Sequence, residues 1–220
     1  MTLILTALCK NGICVCADTR YQIKNSDGSV INNDGNNKIY KFNSENISLI
    51  IFNHGVNKFG NKSWKDFCSD YEKTNRWRNK SPELICNDFK NFIESHITKQ
   101  LEYNIRNMPN ANSVWLSAFG LCAKNLTNNN FEFYELCWSP KFALNFWKDT
   151  RLICSGEGYK YLEKYLEDNK RSNTVEFWRI IDIIKAERKL KKLFSIAVNE
   201  KQKLNGQEFS DDCNTKCITL

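Results

Sequence analysis

The sequence predicts an α+β fold, a four-layer αββα sandwich in which two mainly antiparallel sheets stack face to face between layers of helices. Three observations predict it. Strand-like and helix-like segments come in blocks, in the order strands, two helices, strands, two or more helices, and a final strand. An Asn-Gly pair at 11–12 separates two short apolar runs, which is typical of a tight antiparallel hairpin. Strand blocks with helices between them favour stacked sheets with helices outside.

The composition predicts one globular domain over residues 1–220. Of the 220 residues, 41% are hydrophobic and 26% are charged, which is enough for one filled core but short for two domains. The 9 Gly and 3 Pro residues exclude collagen-like and Pro/Gly-rich disordered chains. No apolar run is long enough to span a membrane, and the apolar segment at 3–8 lacks the basic leader of a signal peptide. We therefore expect no membrane partner.

The first block of strands is predicted from apolar runs and from alternating polar and apolar residues. The runs at 2–9 and 13–17 form the predicted hairpin, and residues 24–37 are polar and rich in turn residues. Residues 38–42 alternate between polar and apolar side chains, and 47–52 are continuously apolar. Both patterns indicate strands.

Helical periodicity begins after Gly55. Trp64, Phe67, Cys68 and Tyr71 recur at helical spacing, which predicts the first helix. A Ser-Pro-Glu sequence at 81–83 is a helix start, with Ser as the N-cap and Pro in the first turn. The second helix follows it.

The second half repeats this order. Predicted strands lie at 113–123, 131–138, 142–147 and 151–154, with a hairpin loop at 125–130. Helical patterns then run around 161–166 and from 173 to about 204, the second beginning at an Asn-x-x-Glu sequence that resembles a capping box. A probable strand at 216–220 ends the chain.

Charge and cysteine content bear on partners and compartment. The net charge of +7 is spread along the chain, whereas a nucleic-acid-binding surface is usually stronger and more clustered. We therefore expect no nucleic-acid partner. The 10 Cys residues form no CxxC pair and have no zinc-finger spacing. Most lie within apolar runs, so we expect reduced, buried thiols and a cytoplasmic protein.

Only two histidines are present, which excludes several classes of site. Any Ser-His or Cys-His pair must use His54 or His96, and a site with three histidine ligands is impossible. His96 lies in a helical pattern and is expected to be a half-buried structural residue. His54 precedes Gly55 at a strand end, and the sequence names no partner for it.

Thr2 is the candidate nucleophile. Removal of Met1, which a small second residue permits, leaves Thr2 with a free α-amine. The ordinary pKa of such an amine is about 8, so a modest decrease makes it a base near neutral pH. A threonine hydroxyl activated by its own amine is a known nucleophile.

Four short motifs in order carry a resemblance to a known family. They are Thr2 with its following hairpin, Ala-Asp-Thr-Arg at 17–20, Asn-Lys-Ile-Tyr-Lys-Phe at 37–42, and Cys-Ser-Gly-x-Gly-Tyr at 154–159. Together they resemble the proteasome β-type branch of the N-terminal-nucleophile hydrolases, which includes the bacterial HslV peptidases, and the chain is similar to small orphan bacterial members. The resemblance covers most of the chain and implies the N-terminal-nucleophile fold.

The resemblance implies roles for the residues near Thr2. The Thr2 hydroxyl attacks a carbonyl carbon, and Asp18 pairs with Lys38 and holds it charged. Lys38 lies beside Thr2, where its charge lowers the pKa of the amine and the hydroxyl. Lys41 is the second candidate for this lysine, although strand alternation directs it to the opposite face from Lys38.

The resemblance also implies supporting residues farther along the chain. The backbone N–H of Gly55 forms the oxyanion hole, and Ser155 contacts the Thr2 amine. Asp212 and Thr215 have the spacing of the family's Asp-x-x-Ser pair, with Thr replacing Ser, and orient Ser155 and the amine. No metal or organic cofactor is required.

The function predicted from these roles is an N-terminal threonine amidohydrolase that acts through a Thr2 acyl-enzyme. A peptidase is expected ahead of other kinds of amidase. One alternative is a non-proteolytic hydrolase of small amides, and another is an inactive structural or binding subunit that retains Met1. The resemblance implies a ring-type homo-oligomer acting on a peptide or amide, and leaves open whether an ATP-dependent unfoldase is a partner. Clustered apolar residues at 177–181 favour self-association, unless that helix is buried in its own subunit.

Overall fold

A computed structural model describes most of the chain. The described residues are 2–24, 27, 29–44, 47–55, 58–59, 62–106, 117–124, 131–138, 142–147, 149 and 151–219. They form two compact units. The first unit contains the residues up to Ile39 together with those from Asp149 onward, and the second is Tyr40–Lys148. The predicted hairpin loop at 125–130 lies outside the described residues.

The strands, in chain order, are β1 (Ile4–Cys9), β2 (Gly12–Asp18), β3 (Tyr21–Lys24), β4 (Val30–Asn33), β5 (Ile39–Asn43), β6 (Ser48–Gly55), β7 (Lys58–Phe59), β8 (Lys62–Ser63), β9 (Ser117–Lys124), β10 (Phe131–Trp138), β11 (Phe142–Trp147), β12 (Arg151–Ser155) and β13 (Cys213–Thr219). The helices are α1 (Trp64–Thr74), α2 (Pro82–Arg106), α3 (Glu163–Asp168), α4 (Val175–Ile180) and α5 (Ile183–Lys203), with short 3₁₀ helices at Glu157–Tyr161 and Lys170–Asn173.

The main sheet of the first unit is antiparallel, with the strand order β12-β1-β2-β13. The two central strands are buried along their whole length, which explains why their sequences are continuously apolar. The predicted hairpin between them is confirmed, with Cys9 opposite Gly12 and Lys10-Asn11 as the turn. Gly12 is required because a Cβ there would overlap the carbonyl oxygen of Ile218 on β13.

Helices α4 and α5 cover this sheet with apolar side chains. Trp178 of α4 is fully buried in the same core cluster as the apolar side of α5. Leu190 and Leu193 of α5 are fully buried in that cluster, and α5 begins at Asp182, whose side chain accepts a hydrogen bond from the backbone of Lys185. The helix therefore lies against β1, which follows Thr2, and against β2, which ends at Asp18.

The second unit contains an antiparallel sheet in the order β11-β10-β9-β6-β5 and the helices α1 and α2. Helix α1 begins with a complete capping box between Ser63 and Asp66. Its buried face, with Trp64 and Tyr71, packs edge-on against Phe89 of α2. Both helices belong to one core cluster with the apolar face of the sheet.

The predicted fold class is therefore confirmed: the chain is α+β, with antiparallel sheets and helices packed against them. That residues 1–220 form one domain stays a prediction. In the part of the chain that the structure describes, no helix has the length and apolar character needed to cross a membrane.

Three local predictions differ from the structure. Within the turn-rich segment 24–37, the exposed strand β4 pairs with β3 in a two-stranded antiparallel sheet. The helical pattern from 173 to 204 is broken at Ile181-Asp182 into α4 and α5, and the N-cap of α4 is Thr174 instead of Asn173. The last strand starts at Cys213, three residues before the predicted start at 216.

The sequence predicted that the cysteines are reduced thiols, but two of them are paired in the structure. Cys14 and Cys217 form a cross-strand disulfide. The two residues lie directly opposite each other in the pairing of β2 with β13, although they are 203 residues apart in the chain. Pairing at that separation leaves no signal in local sequence spacing.

Candidate active site

Thr2 lies immediately before β1 and is held through its own backbone. It is 2% exposed, and its carbonyl oxygen accepts a hydrogen bond of 3.1 Å from the backbone N–H of Gly158. Gly156 passes so close that a Cβ there would overlap this same carbonyl, and its φ of +89° suits glycine. The Gly-containing turn after β12 therefore fixes the position of Thr2.

Lys38 joins Thr2 to Asp18 in a buried group of three side chains. Lys38 Nζ donates to Thr2 Oγ1 at 2.9 Å and to the two carboxylate oxygens of Asp18 at 2.9 and 3.0 Å. Both Lys38 and Asp18 are 0% exposed. Three separate motifs predicted Thr2, Asp18 and Lys38 as site residues, and Lys38 Nζ lies within hydrogen-bond distance of both of the others.

The Asp18 carboxylate is fixed by backbone donors as well as by Lys38. The N–H groups of Leu3 and Arg20 each donate to one of its oxygens at 3.0 Å. The guanidinium of Arg20 instead donates two hydrogen bonds to the carboxylate of Asp34, at 2.6 and 2.8 Å. The backbone donors and Lys38 together fix the orientation of the Asp18 carboxylate.

Electrostatics at Lys38 follow from its burial. Desolvation lowers the pKa of the Lys38 ammonium, and the charge and hydrogen bonds of Asp18 oppose that decrease. The lysine therefore holds its proton less tightly than an exposed lysine does, while it donates to the Thr2 hydroxyl. Such a group can stabilise negative charge on Thr2 Oγ1 or exchange a proton with it.

The remaining predicted site residues differ in their distance along the chain from the Thr2–Lys38–Asp18 group. Ser155 is 5% exposed and pairs with Ile4 at the end of β12, next to the Gly156 turn. Thr215 lies opposite Cys16 on β13. Asp212 is exposed just before that strand. Gly55 belongs to the second unit, where it ends β6 with a φ of +95°.

Three further residues considered in the sequence differ in exposure and contacts. Lys41, the second choice for the site lysine, is exposed, whereas Lys38 is fully buried. His54 is half-buried in the second unit, 3.6 Å from a carboxylate oxygen of Glu135. His96 is exposed on α2, where its ring packs edge-on against Phe67. It was expected to be half-buried.

Ser210 is a neighbour of the site that the sequence analysis did not identify. Its hydroxyl accepts a 2.8 Å hydrogen bond from the backbone of Thr19, the residue after Asp18, and donates to the carbonyl of Asp212. Lys201, 3% exposed, donates to the carbonyl of Phe209 and thereby holds the loop that carries Ser210. The Ser-Asp-Asp sequence at 210–212, next to the predicted Asp-x-x-Thr pair, was the available signal.

This arrangement can activate the Thr2 hydroxyl. Thr2 Oγ1 has a buried cation at hydrogen-bond distance, and that cation is held by a carboxylate with a fixed orientation. Among the described residues, no group of three or more His, Cys, Asp or Glu side chains could hold a metal ion.

No family model and no curated protein matches the sequence. Solved structures do match, and those compared are Anbu proteins. The Anbu (Gly-1) mutant from Hyphomicrobium sp. strain MC1 matches 100% of this chain and 82% of its own, with a TM-score of 0.66 and 11% identity. Anbu from the same strain matches 99% and 82%, with a TM-score of 0.62 and 11% identity. Anbu (ancestral beta-subunit) from Yersinia bercovieri matches 98% and 81%, with a TM-score of 0.61 and 11% identity.

The predicted assignment to the proteasome β-type branch with the HslV peptidases is wrong, because the similar structures are Anbu proteins. The motifs that suggested this assignment are short and concern the residues around Thr2. They therefore carry little information that could distinguish the proteasome β-type branch from related proteins. An identity of 11% shows a common fold and nothing finer. The chain shares the α+β fold of these Anbu structures.

Proposed function

We propose that this protein is an N-terminal threonine amidohydrolase whose nucleophile is Thr2 Oγ1. The observation that carries the proposal is the buried Lys38 ammonium, 2.9 Å from Thr2 Oγ1 and bound to both oxygens of Asp18. A structural threonine does not need a desolvated ion pair at its hydroxyl. Burying two charges costs free energy, and their retention beside one hydroxyl fits a chemical role.

The acylation step requires removal of Met1, a residue that lies outside the described part of the chain. Thr2 Oγ1 then attacks the carbonyl carbon of an amide, and the Thr2 α-amine accepts the hydroxyl proton. Lys38 donates a hydrogen bond to the oxygen as it develops charge, and it lowers the pKa of the nearby amine. The carbon–nitrogen bond of the substrate breaks, and the leaving amine takes the proton from the α-amine.

The deacylation step regenerates Thr2. A water molecule gives a proton to the α-amine and attacks the ester carbonyl, and Thr2 Oγ1 leaves with that proton. These steps consume one amide and one water, yield an acid and an amine, and use no metal or organic cofactor. The proposed substrates are peptides, with other amides as the alternative class.

The test is hydrolysis of fluorogenic peptide amides by mature protein and its variants. Thr2→Ala should abolish turnover, and Thr2→Ser should keep part of it because the hydroxyl remains. Lys38→Ala should reduce kcat by about 100-fold or more, the usual effect of losing a group that stabilises the transition state. The matched control is Lys41→Ala, at an exposed lysine three residues away, which should leave kcat unchanged. Undiminished turnover by Thr2→Ala rules out the mechanism.

Self-association into a ring-type homo-oligomer is part of the proposal. Trp178 is buried in its own unit, so it contributes nothing to an interface, but Ile180 and Ile184 are 72% and 60% exposed. Exposed apolar side chains at the α4–α5 junction favour contact with another copy, and the similar Yersinia bercovieri protein is an Anbu (ancestral beta-subunit) protein. Light scattering should give a mass several times that of the 25.8 kDa chain. A monomer would reject the ring and favour a small-amide hydrolase.

A further inference from the structure

Four of the ten cysteines lie on one face of the neighbouring strands β2 and β13. Cys14 and Cys16 alternate along β2, and Cys213 and Cys217 lie on β13 opposite Asp18 and Cys14. Cys14 and Cys217 form the disulfide described above. The remaining two residues, Cys16 and Cys213, are diagonal neighbours on the same face of this ladder, because Cys16 lies opposite Thr215 and Cys213 lies opposite Asp18.

We propose that Cys213 is a reactive thiol, a site for modification by hydroperoxides and soft electrophiles, with the neighbouring Cys16 as its resolving thiol. The proposal does not depend on the amidohydrolase function. Cys213 is the thiol that reacts first and Cys16 the thiol that resolves the product, because the surroundings of the two sulfur atoms differ.

Exposure separates the two thiols. Cys16 is 0% exposed within the apolar core under α5, so a reagent in solution cannot reach it directly. Cys213 is half-buried at the start of β13, where the strand emerges from the loop that contains Asp212. A reagent therefore meets Cys213 first, with Cys16 directly behind it.

Neighbouring groups favour the thiolate at Cys213. The neighbouring Cys16 thiol lowers the pKa of Cys213, and the positive charge of Lys191 lowers it further, against opposing effects of burial and of Asp212 and Asp18. The Cys213 thiol, together with burial, raises the pKa of Cys16. A half-buried thiol beside a cation and a second thiol has an environment found at reactive cysteines.

The other free cysteines lack this environment. Burial raises the pKa of Cys9 to about 11, and that of Cys86, Cys137 and Cys154 to about 12. The pKa values of Cys68 and Cys122 are raised as well. Cys154 is the useful comparison, because it is half-buried like Cys213 but has its proton held more tightly.

The oxidation proceeds in two balanced steps. The Cys213 thiolate attacks one oxygen of a hydroperoxide, so that a sulfur–oxygen bond forms and the oxygen–oxygen bond breaks. The leaving alkoxide takes the proton of Cys16. The Cys16 thiolate then attacks the sulfenic sulfur, a disulfide forms, and hydroxide leaves and combines with the proton that Cys213 had released. Two thiols and one hydroperoxide give a disulfide, an alcohol and water.

The first experiment measures alkylation rates. The folded protein is treated with iodoacetamide at neutral pH, and labelling of each cysteine is followed by peptide mass spectrometry. Cys213 should react at least about tenfold faster than Cys154, the difference expected when the thiolate fraction differs by one pKa unit or more. Equal rates at Cys213 and Cys154 overturn the proposal.

The second experiment identifies the oxidation product. With hydrogen peroxide, the wild-type protein should lose two thiols and yield a peptide crosslinked between Cys16 and Cys213. In Cys16→Ala the reaction should stop at a sulfenic acid on Cys213, which dimedone traps. The same product in both proteins overturns the role of Cys16.

A second variant keeps the test valid if Cys16→Ala does not fold. Cys213→Ser changes a half-buried position, and circular dichroism checks that the fold is retained. In this variant Cys16 should stay reduced and unlabelled after peroxide and iodoacetamide. Oxidised or alkylated Cys16 in folded Cys213→Ser overturns the proposal, because Cys16 would then be reached without Cys213.

Discussion

Gly156→Ala should destabilise the protein by more than an ordinary glycine replacement, because Gly156 touches the backbone of the nucleophile. Its φ and ψ of +89° and 164° lie in a region that is open almost only to glycine, and the strain of any other residue there costs about 1–3 kcal/mol. A new Cβ would also come closer than 3.0 Å to the carbonyl oxygen of Thr2. A backbone oxygen cannot rotate away, and the forced shift adds about 1–3 kcal/mol.

Gly35→Ala is the matched control, because it separates strain from overlap. Gly35 is in the same unit with a φ of +82°, and a Cβ there would meet no atom within 4 Å. It should therefore lose only the strain contribution. Urea unfolding followed by tryptophan fluorescence measures both, and the loss of unfolding free energy in Gly156→Ala should exceed that in Gly35→Ala by about 1–3 kcal/mol. Equal losses would refute the close approach of this turn to Thr2.

Three further predictions concern charge and cooperativity. Asp18→Asn should reduce the unfolding free energy by about 3–5 kcal/mol, because it leaves Lys38 buried without its counter-charge, while Asp34→Asn, at a partly exposed pair with Arg20, should cost about 1 kcal/mol or less in the same urea titrations. Because burial lowers the pKa of Lys38, the unfolded chain binds this proton more tightly than the native protein, so this group's contribution to stability rises with pH until the ordinary value of 10.5 is passed. The unfolding free energy of the wild type minus that of Lys38→Met should thus increase as the pH is raised towards that value. A decrease in this quantity would contradict the lowered pKa of Lys38. If residues 1–220 form one domain, calorimetry should show one unfolding transition whose van't Hoff and calorimetric enthalpies agree, and two separate transitions would contradict it.

The parts of the fold predicted correctly are those whose signal is local. The turn at Lys10-Asn11 follows from two apolar runs separated by a few polar residues, and β1 and β2 are buried as such runs require. Thr2, Asp18 and Lys38 could be selected because each lies in a short motif close to the start of the chain. Their mutual distances could not be predicted from the sequence, and come from the structure alone.

Weak local signals account for the errors within single segments. Strand β4 is exposed along its length, with Val30 and Ile31 about half accessible, so its sequence lacks the apolar alternation that marks a half-buried strand. At the α4–α5 junction, apolar residues keep helical spacing through Ile181, and only the capping ability of Asp182 indicates a new helix. Propensity and period alone favour one continuous helix there.

Contacts between distant segments account for the rest. Ser210 meets Thr19 across 191 residues of sequence, and Cys14 meets Cys217 across 203. Both contacts depend on the pairing of β2 with β13, which brings the end of the chain beside the strand that carries Asp18. A single sequence contains no record of which strands pair.

Intact-mass spectrometry with an electrophile selective for N-terminal threonine tests the central claim most directly. The purified protein should have lost Met1, and the wild type should gain the mass of one electrophile, located at Thr2 by peptide mapping. Thr2→Ala should gain none, and Lys38→Ala should react much more slowly, because Lys38 Nζ lies 2.9 Å from the reacting oxygen. A protein that has lost Met1 but forms no adduct, or an adduct that persists in Thr2→Ala, would contradict the assignment of Thr2 as the nucleophile.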